Sequence, residues 1–213
     1  MAVRVDLNIS LDGVATPADP TPEAPMGADW PRLTEAYAAT RTFRERVLGD
    51  SSGEGTTGLD DAYAAAYFEG VGAEIMGAAM FGLHTYPDDP TWTGWWGDEP
   101  PFRVPVFVLT HVARPTLTMA NGTSFEFLSV TPAEALARAE AVAGGLDVRI
   151  GGGTGVVRDF LGAGLVDRLH VSIAPVVLGR GERLWDDLRV LASGYAVTSE
   201  TAESGTIHVT LSR

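Results

Sequence analysis

The sequence contains no cysteine among its 213 residues. Disulfide bonds, thiolate nucleophiles and cysteine-ligated zinc are therefore excluded. It also lacks any run of 18 or more apolar residues, which a membrane-spanning helix would need. The first nine residues alternate apolar and polar side chains like a strand and form no apolar signal-peptide block. We therefore expect a cytoplasmic protein with no membrane association.

Basic residues are scarce, with 15 Lys and Arg against 28 Asp and Glu, for a formal net charge of −13. This balance opposes binding to nucleic acid and to anionic membranes, and it favours solubility. The four histidines are far apart and form no His-x-x-x-His or Glu-x-x-His pair, so no metal site is predicted. His170 alternates out of phase with Leu169 and Val171, which favours a position on a strand surface.

The length is compatible with one sizeable core, and we expect a single domain over residues 1–213 with a loop and helical insertion at about 13–70. Periodicity predicts a mixed sheet with helices packed on it. The predicted strands are 1–9, 73–76, 105–109, 124–130, 146–150 and 169–173, followed by an antiparallel hairpin of 196–201 and 206–211. Residues 13–28 read as a loop, and helices are predicted over 30–47 and 59–68. Another helix is predicted to begin at the capping box of Thr131 and Glu134.

The most informative stretch joins an alternating apolar segment, 146–150, to a run of glycines at 151–155 and then to an amphipathic helix pattern. Glycines let the backbone approach a ligand closely, and the start of a helix offers free N–H groups to an anion. The spacing is not the Rossmann fingerprint, because Val156 or Arg158 stands where its last glycine would be. The stretch predicts a phosphate-binding turn; a generic glycine turn between strand and helix is the alternative.

Several motifs resemble, in order, those of the dihydrofolate-reductase-like family. They are Asn8-Ile9-Ser10-Leu11-Asp12-Gly13, Ile75-Met76-Gly77, Val106-Phe107-Val108-Leu109-Thr110-His111, the glycine run with its helix, Gly164-Leu165-Val166-Asp167 and Pro175-Val176-Val177-Leu178-Gly179. More narrowly, the chain resembles the reductase domain of the bacterial riboflavin-biosynthesis deaminase-reductase and its stand-alone relatives. The resemblance covers nearly the whole chain. It implies an α/β fold with a central, mostly parallel sheet of about eight strands, a C-terminal antiparallel hairpin and flanking helices.

The resemblance also implies an activity, NADPH-dependent reduction of a small heterocycle or of an unsaturated bond, and a homodimer. The resemblance places the pyrophosphate on the glycine run and the start of the helix that follows, at Gly151, Gly152, Gly153, Thr154, Gly155 and Val156. It places the adenosine ribose and its 2′-phosphate on Thr110 and His111, with Arg114 near. It places the nicotinamide and the substrate beside Ile9, Ser10, Asp12 and Leu178. Asp12 is the best-placed carboxyl for supplying a proton, directly or through a water, if burial raises its pKa. The alternative is that Asp12 only fixes the Asp-Gly turn.

The chain departs from the family after Gly77. Family members commonly carry an arginine there that approaches the NADPH phosphates, whereas this chain has Ala78 followed by Ala79. A charge-assisted contact of about 1.5–3 kcal/mol is therefore missing. Three explanations stay open: another arginine such as Arg103, Arg114 or Arg158 compensates, the cofactor is NADH or is bound weakly, or the fold is used for chemistry that needs no nicotinamide.

Three of the five tryptophans, Trp92, Trp95 and Trp96, fall within five residues of a loop rich in glycine and proline. They can form a lid or stacking wall for a flat substrate, or they can plug the loop against the sheet or against a second subunit. Two functions therefore survive. One is a nicotinamide-dependent reductase, and the other is a reductase-fold protein that has lost hydride transfer and acts as a non-redox cyclase, isomerase or small-molecule binder.

Overall fold

The structure is a computed structural model that describes residues 1–21, 23–83, 89–185, 189–192 and 194–213. Within these residues the strands are β1 (Val3–Ser10), β2 (Val14–Thr16), β3 (Val71–Gly77), β4 (Pro105–Leu109), β5 (Leu117–Thr118), β6 (Ser124–Leu128), β7 (Asp147–Gly152), β8 (Arg168–Ala174), β9 (Glu182–Arg183), β10 (Ala196–Thr201) and β11 (Ile207–Ser212). The helices are α1 (Trp30–Ala38), α2 (Arg41–Arg46), α3 (Leu59–Phe68), α4 (Ala78–Phe81), α5 (Pro132–Val142) and α6 (Thr154–Gly162), with a 3₁₀ turn at Arg189–Ala192.

Nine strands of the described chain form one sheet in the order β10-β11-β8-β1-β7-β3-β4-β6-β5. The α/β class, the mostly parallel centre and the C-terminal antiparallel strands are confirmed, but the expected count of about eight strands is one too low. The chain divides into two compact units, residues 1–5 with 70–167 and residues 6–69 with 168–213. Whether the chain is a single domain stays a prediction, because compactness does not test independent folding.

The first unit has a parallel sheet at its centre. β7 pairs with β1 through Val3 to Val5, β3 pairs with β7 and β4, and β4 pairs with β6. Parallel strands are buried on both faces and read as continuous apolar runs, which explains Val106-Phe107-Val108 in β4. Helix α5 packs on β3, β4 and β7, while α6 packs on β7 and β3. The carboxyl ends of β7, β3 and β4 therefore meet at one edge of this sheet.

The second unit contains the antiparallel strands β8, β11 and β10 and the helices α1, α2 and α3. Its buried apolar residues include Leu33, Ala64, Leu169, Val171 and Leu184. Two predictions in this unit are wrong. The helix expected over 30–47 is broken into α1 and α2, and the loop expected over 13–28 contains β2, which pairs with β9.

Thr40 causes the helix break. Its backbone is extended, and its side chain accepts a hydrogen bond from the N–H of Phe43, so it caps the start of α2. The N–H of Arg41 also donates to the carbonyl of Thr56. The helix cap and the long-range hydrogen bond stabilise the break between α1 and α2.

Candidate functional site

The glycine run lies between β7 and α6, as the sequence predicts. Gly152 has φ +124°, which favours glycine, and the peptide bond between Gly152 and Gly153 is cis. Gly153 is the N-cap of α6 and, as a glycine, supplies no capping side chain of its own. Among the described residues, no atom lies within 4 Å of the position where a Cβ would stand on Gly153 or Gly155. The start of α6 is therefore open to an approaching anion.

Position 78 lies beside the glycine run at the carboxyl edge of the sheet. In the strand register Met76 is opposite Gly152, and Gly77 is opposite Leu109. A Cβ on Gly77 would lie 2.8 Å from Cγ2 of Val156, so only glycine lets β3 pack this closely on α6. Ala78 follows as the half-buried first residue of α4. Position 78, which commonly carries arginine in the resembled family, thus directly follows a residue packed on α6. The alanine of this chain places no charge there.

The residues expected at the adenosine ribose follow β4 at the same edge. The N–H of Thr110 donates to Leu128, and its hydroxyl accepts from the N–H of Val112. His111 is exposed, with Nδ1 3.4 Å from the hydroxyl of Ser129. The structure thus brings Thr110 and His111 to the edge that holds the glycine run, and the ring of His111 remains accessible.

Arg114 is already engaged within the first unit. Its Nη2 donates to the carbonyls of Asp89 at 2.7 Å and Trp92 at 3.3 Å, and its guanidinium lies 5.7 Å from the ring centre of Phe127. These contacts hold the segment that carries the tryptophans. For Arg114 to bind a phosphate with Nη2, it would have to give up those two hydrogen bonds, which makes it a poor replacement for an arginine at position 78.

The tryptophans pack on the core of the first unit. Trp92 donates from Nε1 to the carbonyl of Phe81 and contacts Trp95 edge to face. Trp96 contacts Phe102 edge to face and lies parallel to Phe125. All three indoles are half-buried. Contacts of this kind are typical of aromatic side chains that pack a loop against a sheet. The exposed parts of the three indoles leave apolar surface for a ligand.

Asp12, Ser10 and Leu178 come together in the second unit. Oδ1 of Asp12 accepts from the Ser10 hydroxyl at 2.6 Å and from the N–H of Leu178 at 3.0 Å, while Oδ2 accepts from the N–H of Gly179 at 2.9 Å. These hydrogen bonds, the one from Ser10 first, lower the pKa of Asp12 to about 2. The expectation that burial raises this pKa is therefore wrong. Asp12 is ionised at neutral pH and joins the turn after β1 to residues 178 and 179. Ile9 precedes this cluster and is buried.

Replacing Asp12 with asparagine is expected to destabilise the protein by about 1.5–3 kcal/mol at neutral pH, because an amide cannot accept all three hydrogen bonds of the carboxylate. A lowered carboxyl pKa stabilises the fold above the unfolded value near 3.8, and this stability is lost as pH falls toward 2. In urea unfolding measured between pH 7 and pH 2, the free energy of unfolding of Asp12→Asn should therefore fall less steeply toward acid pH than that of the wild type. Parallel curves for the two proteins would contradict this role.

A buried chain of polar side chains in the second unit was not predicted. Nδ1 of His170 lies 3.2 Å from Asp6, Nε2 of His170 lies 3.0 Å from Nδ1 of His208, and Nε2 of His208 lies 2.9 Å from Asp60. The ring of Tyr63 stacks on both imidazoles, with centroids 4.3 Å and 4.1 Å away. The prediction that His170 lies on a strand surface is therefore wrong, because α3 covers this face. Asp60 and Tyr63 lie in the first turns of the predicted helix, and nothing in the sequence around them indicated that they contact His170 and His208.

Burial lowers the pKa of His208 below 6.5, against the opposing effect of Asp60. The unfolded state therefore binds more protons than the folded state just below pH 6.5, and stability falls as pH drops through this region. We expect His208→Gln to flatten this fall below pH 6.5 in urea unfolding curves. His111→Gln is the control, since His111 is exposed. An unchanged slope in His208→Gln would contradict the assignment.

A second unpredicted feature lies beneath the glycine run. Glu74 on β3 and Arg149 on β7 are opposite each other in register, are 0% and 2% exposed, and form an ion pair. The sequence did carry a signal, since Glu74 and Arg149 place charges of opposite sign within two predicted strands. Side chains of this kind are almost never fully buried unless they are paired.

The order of the strands and the helices packed on them give the chain a dihydrofolate-reductase-like fold. The chain belongs to the family of RibD C-terminal domains, whose model matches residues 1–209. Among the described residues, no helix has the length and apolar character needed to cross a membrane.

Solved structures with the same fold extend over the whole chain. A protein of Shewanella sp. PV-4, provisionally named as a riboflavin biosynthesis protein, has TM-score 0.61 at 20% identity, covering 100% of this chain and 99% of its own. A pyrimidine reductase-like protein of Corynebacterium diphtheriae has TM-score 0.50 at 16% identity, with 99% and 91% covered. Dihydrofolate reductase of Enterococcus faecalis, complexed with NADP(H), has TM-score 0.50 at 13% identity, with 100% and 96% covered.

In sequence, the chain is similar to the protein YyaP of Bacillus subtilis (strain 168), which is described as uncharacterised. The two are 35% identical over 65 residues, which is 30% of this chain and 35% of YyaP. The match thus spans about a third of that curated relative. Two of these neighbours in fold are described as reductase-like or as a reductase.

Proposed function

We propose that the protein is an NADPH-dependent reductase that acts on a C=N, C=C or C=O bond of a small, flat heterocycle. The observation that carries this proposal is the open glycine run at the start of α6. Gly153 and Gly155 leave the space of a side chain empty among the described residues, and the N-cap, Gly153, has no side chain. A pyrophosphate fits such a position, because it is an anion that accepts several N–H hydrogen bonds.

In this proposal Gly152, Gly153, Thr154, Gly155 and Val156 hold the pyrophosphate. Thr110 and His111 bind the adenosine ribose and its 2′-phosphate, and Gly77 keeps β3 packed close to α6. When bound, NADPH supplies a hydride. The protein must then align the nicotinamide with the substrate, because hydride transfer requires the reacting atoms to lie about 3–3.5 Å apart.

For the substrate, we propose two sets of contacts, each within its own unit: the exposed faces of Trp92, Trp95 and Trp96 in the first unit, and Leu178 in the second. Leu178 is fixed through its N–H by the carboxylate of Asp12. Because Asp12 is ionised, it does not itself donate the proton at neutral pH; it orders a water that does, and Ser10 orients Asp12. Flat apolar indole surface favours a planar ring, to which aromatic side chains add about 0.5–1.5 kcal/mol beyond area burial.

The test is a titration of the purified protein with NADPH and with NADH, followed by tryptophan and nicotinamide fluorescence. We expect NADPH to bind with a micromolar dissociation constant. Gly155→Ala should weaken it by at least about tenfold, because a methyl group would then occupy the open space at the start of α6. The free energy of unfolding should not fall, since alanine is preferred over glycine in helices by about 1 kcal/mol.

Gly162→Ala is the matched control. Gly162 ends the same helix, also has nothing within 4 Å of its Cβ position among the described residues, and requires no positive φ. We expect this variant to bind NADPH as the wild type does. Equal NADPH binding by Gly155→Ala and the wild type would mean that the nucleotide does not contact the glycine run.

A non-redox cyclase, isomerase or small-molecule binder is the second candidate function. Ala78 favours it, because the family's phosphate-binding charge is missing there. Absence of binding for both NADPH and NADH would support this candidate. Reduction of a supplied heterocycle with consumption of NADPH would exclude it.

We further propose a cytoplasmic homodimer. In the second unit, Ile173 and Ile207 are half-buried apolar residues on β8 and β11, and Val197 on β10 is 63% exposed. An apolar strip on a sheet is a common element of a symmetric interface. Light scattering after gel filtration should give twice the 22.5 kDa of one chain, and Val197→Glu should lower that mass.

A further inference from the structure

The pairing of Glu74 with Arg149 is not explained by stability. Nη2 of Arg149 donates to Oε2 of Glu74, and both side chains are almost completely buried. Burial raises the pKa of Glu74, and the neighbouring guanidinium opposes this. Desolvating two charges is costly, and an apolar pair of similar volume stabilises a protein at least as well in many cases. The pair therefore calls for a role other than holding the sheet together.

The second oxygen of the Glu74 carboxylate points to that role. Oε1 is buried and has no hydrogen-bond partner among the described residues. It occupies the place where a Cβ on Gly151 would stand, with the carboxyl carbon 3.0 Å from the same position. Gly151 does not have a positive φ, so its backbone conformation does not require glycine. Glycine is required there because the carboxylate of Glu74 fills the space of its side chain.

Gly151 is the residue from which the backbone enters the phosphate-binding turn. Beyond it lie Gly152, with φ +124°, and Gly153, the N-cap of α6. Consecutive glycines lose more conformational entropy on ordering than any other residues, so this segment needs a fixed starting point. The carboxylate of Glu74, tied to β7 through Arg149, contacts that starting point from inside the sheet.

We propose that Glu74 is a positioning residue for the phosphate-binding turn. Arg149 holds one carboxylate oxygen, and the other packs against Gly151 and fixes the backbone from which residues 152–156 present their N–H groups. Glu74 does not touch the nucleotide, and Gly151 serves Glu74 and not the phosphate. The role in binding rests on the proposed function, whereas the ordering of residues 151–156 does not.

Amide hydrogen exchange in the nucleotide-free protein tests the ordering directly. Glu74→Ala should speed exchange in a peptide covering 151–156 relative to a peptide covering 207–212. Glu74→Gln keeps the shape and an acceptor for Arg149, and should leave exchange near the wild-type rate. Val106→Ala is the matched control, because Val106 is the buried neighbour of Glu74 in register on β4. Unchanged exchange over 151–156 in Glu74→Ala would overturn the proposal.

Binding of NADPH distinguishes the two interpretations of Gly151. Gly151→Ala should raise the dissociation constant by about tenfold or more, since small misplacements of binding groups carry costs of this order. If Glu74 causes this loss, then Glu74→Ala in the Gly151→Ala background vacates the space and brings binding back to the level of Glu74→Ala alone, which lacks only the positioning carboxylate. If the double variant binds no better than Gly151→Ala alone, Gly151 contacts the phosphate itself and the proposal is wrong. If the wild type binds neither NADPH nor NADH, the proposed function fails, and the exchange experiment still decides the inference.

Discussion

Replacing Ala78 with arginine is expected to tighten NADPH binding by about 10- to 100-fold. The variant restores a charge-assisted phosphate contact, which contributes about 1.5–3 kcal/mol, and each 1.4 kcal/mol changes the dissociation constant tenfold. Position 78 directly follows Gly77, whose Cα packs against Val156 in the first turn of α6. A long side chain from this position is therefore close enough to reach an anion held by the glycine run.

The same titration with Ala79→Arg provides the control. Ala79 is the next residue on α4 and is exposed, so this variant adds the same charge to a protein of net charge −13 without the same placement. General electrostatic attraction would tighten binding equally in both variants, and increasing the salt concentration would weaken both. A specific contact tightens only Ala78→Arg. If Ala78→Arg binds no better than the wild type, the phosphates do not lie beside α4.

The elements that the sequence predicted well are those with local causes. Helix α3 spans Leu59–Phe68 as predicted, and the capping box of Thr131 and Glu134 is present with both of its hydrogen bonds. The hairpin of β10 and β11 follows from alternation around a turn. In each case neighbouring residues supply the partners, so the pattern alone is sufficient.

The elements that were missed depend on partners distant in the chain. β2 exists because Val14 and Thr16 pair with Arg183 and Glu182, about 170 residues later. Asp12 illustrates the same limit at the site. Its turn was predicted from Asp-Gly, but after the Ser10 hydroxyl the groups that lower its pKa include the distant N–H groups of Leu178 and Gly179. The protonation state of a side chain depends on such contacts, and the pattern of apolar and polar residues along the sequence does not reveal them.

The glycine run was predicted as one feature, yet its glycines serve different purposes. Gly152 supplies a positive φ, Gly153 and Gly155 leave open space, and Gly151 accommodates Glu74. A pattern of glycines predicts close approach of something to the backbone but not what approaches. At Gly151 the approaching group is a carboxylate of the protein itself.

Removing Arg149 is expected to have the largest effect on stability. Arg149→Leu leaves the carboxylate of Glu74 buried without its counter-charge, and breaking a buried pair in this way costs about 3–5 kcal/mol. Arg138→Leu is a suitable control, because the Arg138–Glu126 pair is half exposed at 3.5 Å and such pairs contribute about 0–1 kcal/mol. Urea unfolding at pH 7 measures both variants. A loss in Arg149→Leu no larger than that in Arg138→Leu would contradict the account of the buried pair.

The pH dependence and the double variant separate charge from packing. Burial raises the pKa of Glu74 above its ordinary value of 4.5, and without Arg149 nothing in the pair opposes this. A raised carboxyl pKa means that the folded state binds the proton more tightly, so the loss of stability of Arg149→Leu relative to the wild type should be smallest below pH 4.5 and grow as pH rises through the folded-state pKa. Adding Glu74→Leu removes the stranded charge and should recover most of the loss at pH 7. A defect of packing would give the opposite pattern, with no recovery in acid and a further loss in the double variant.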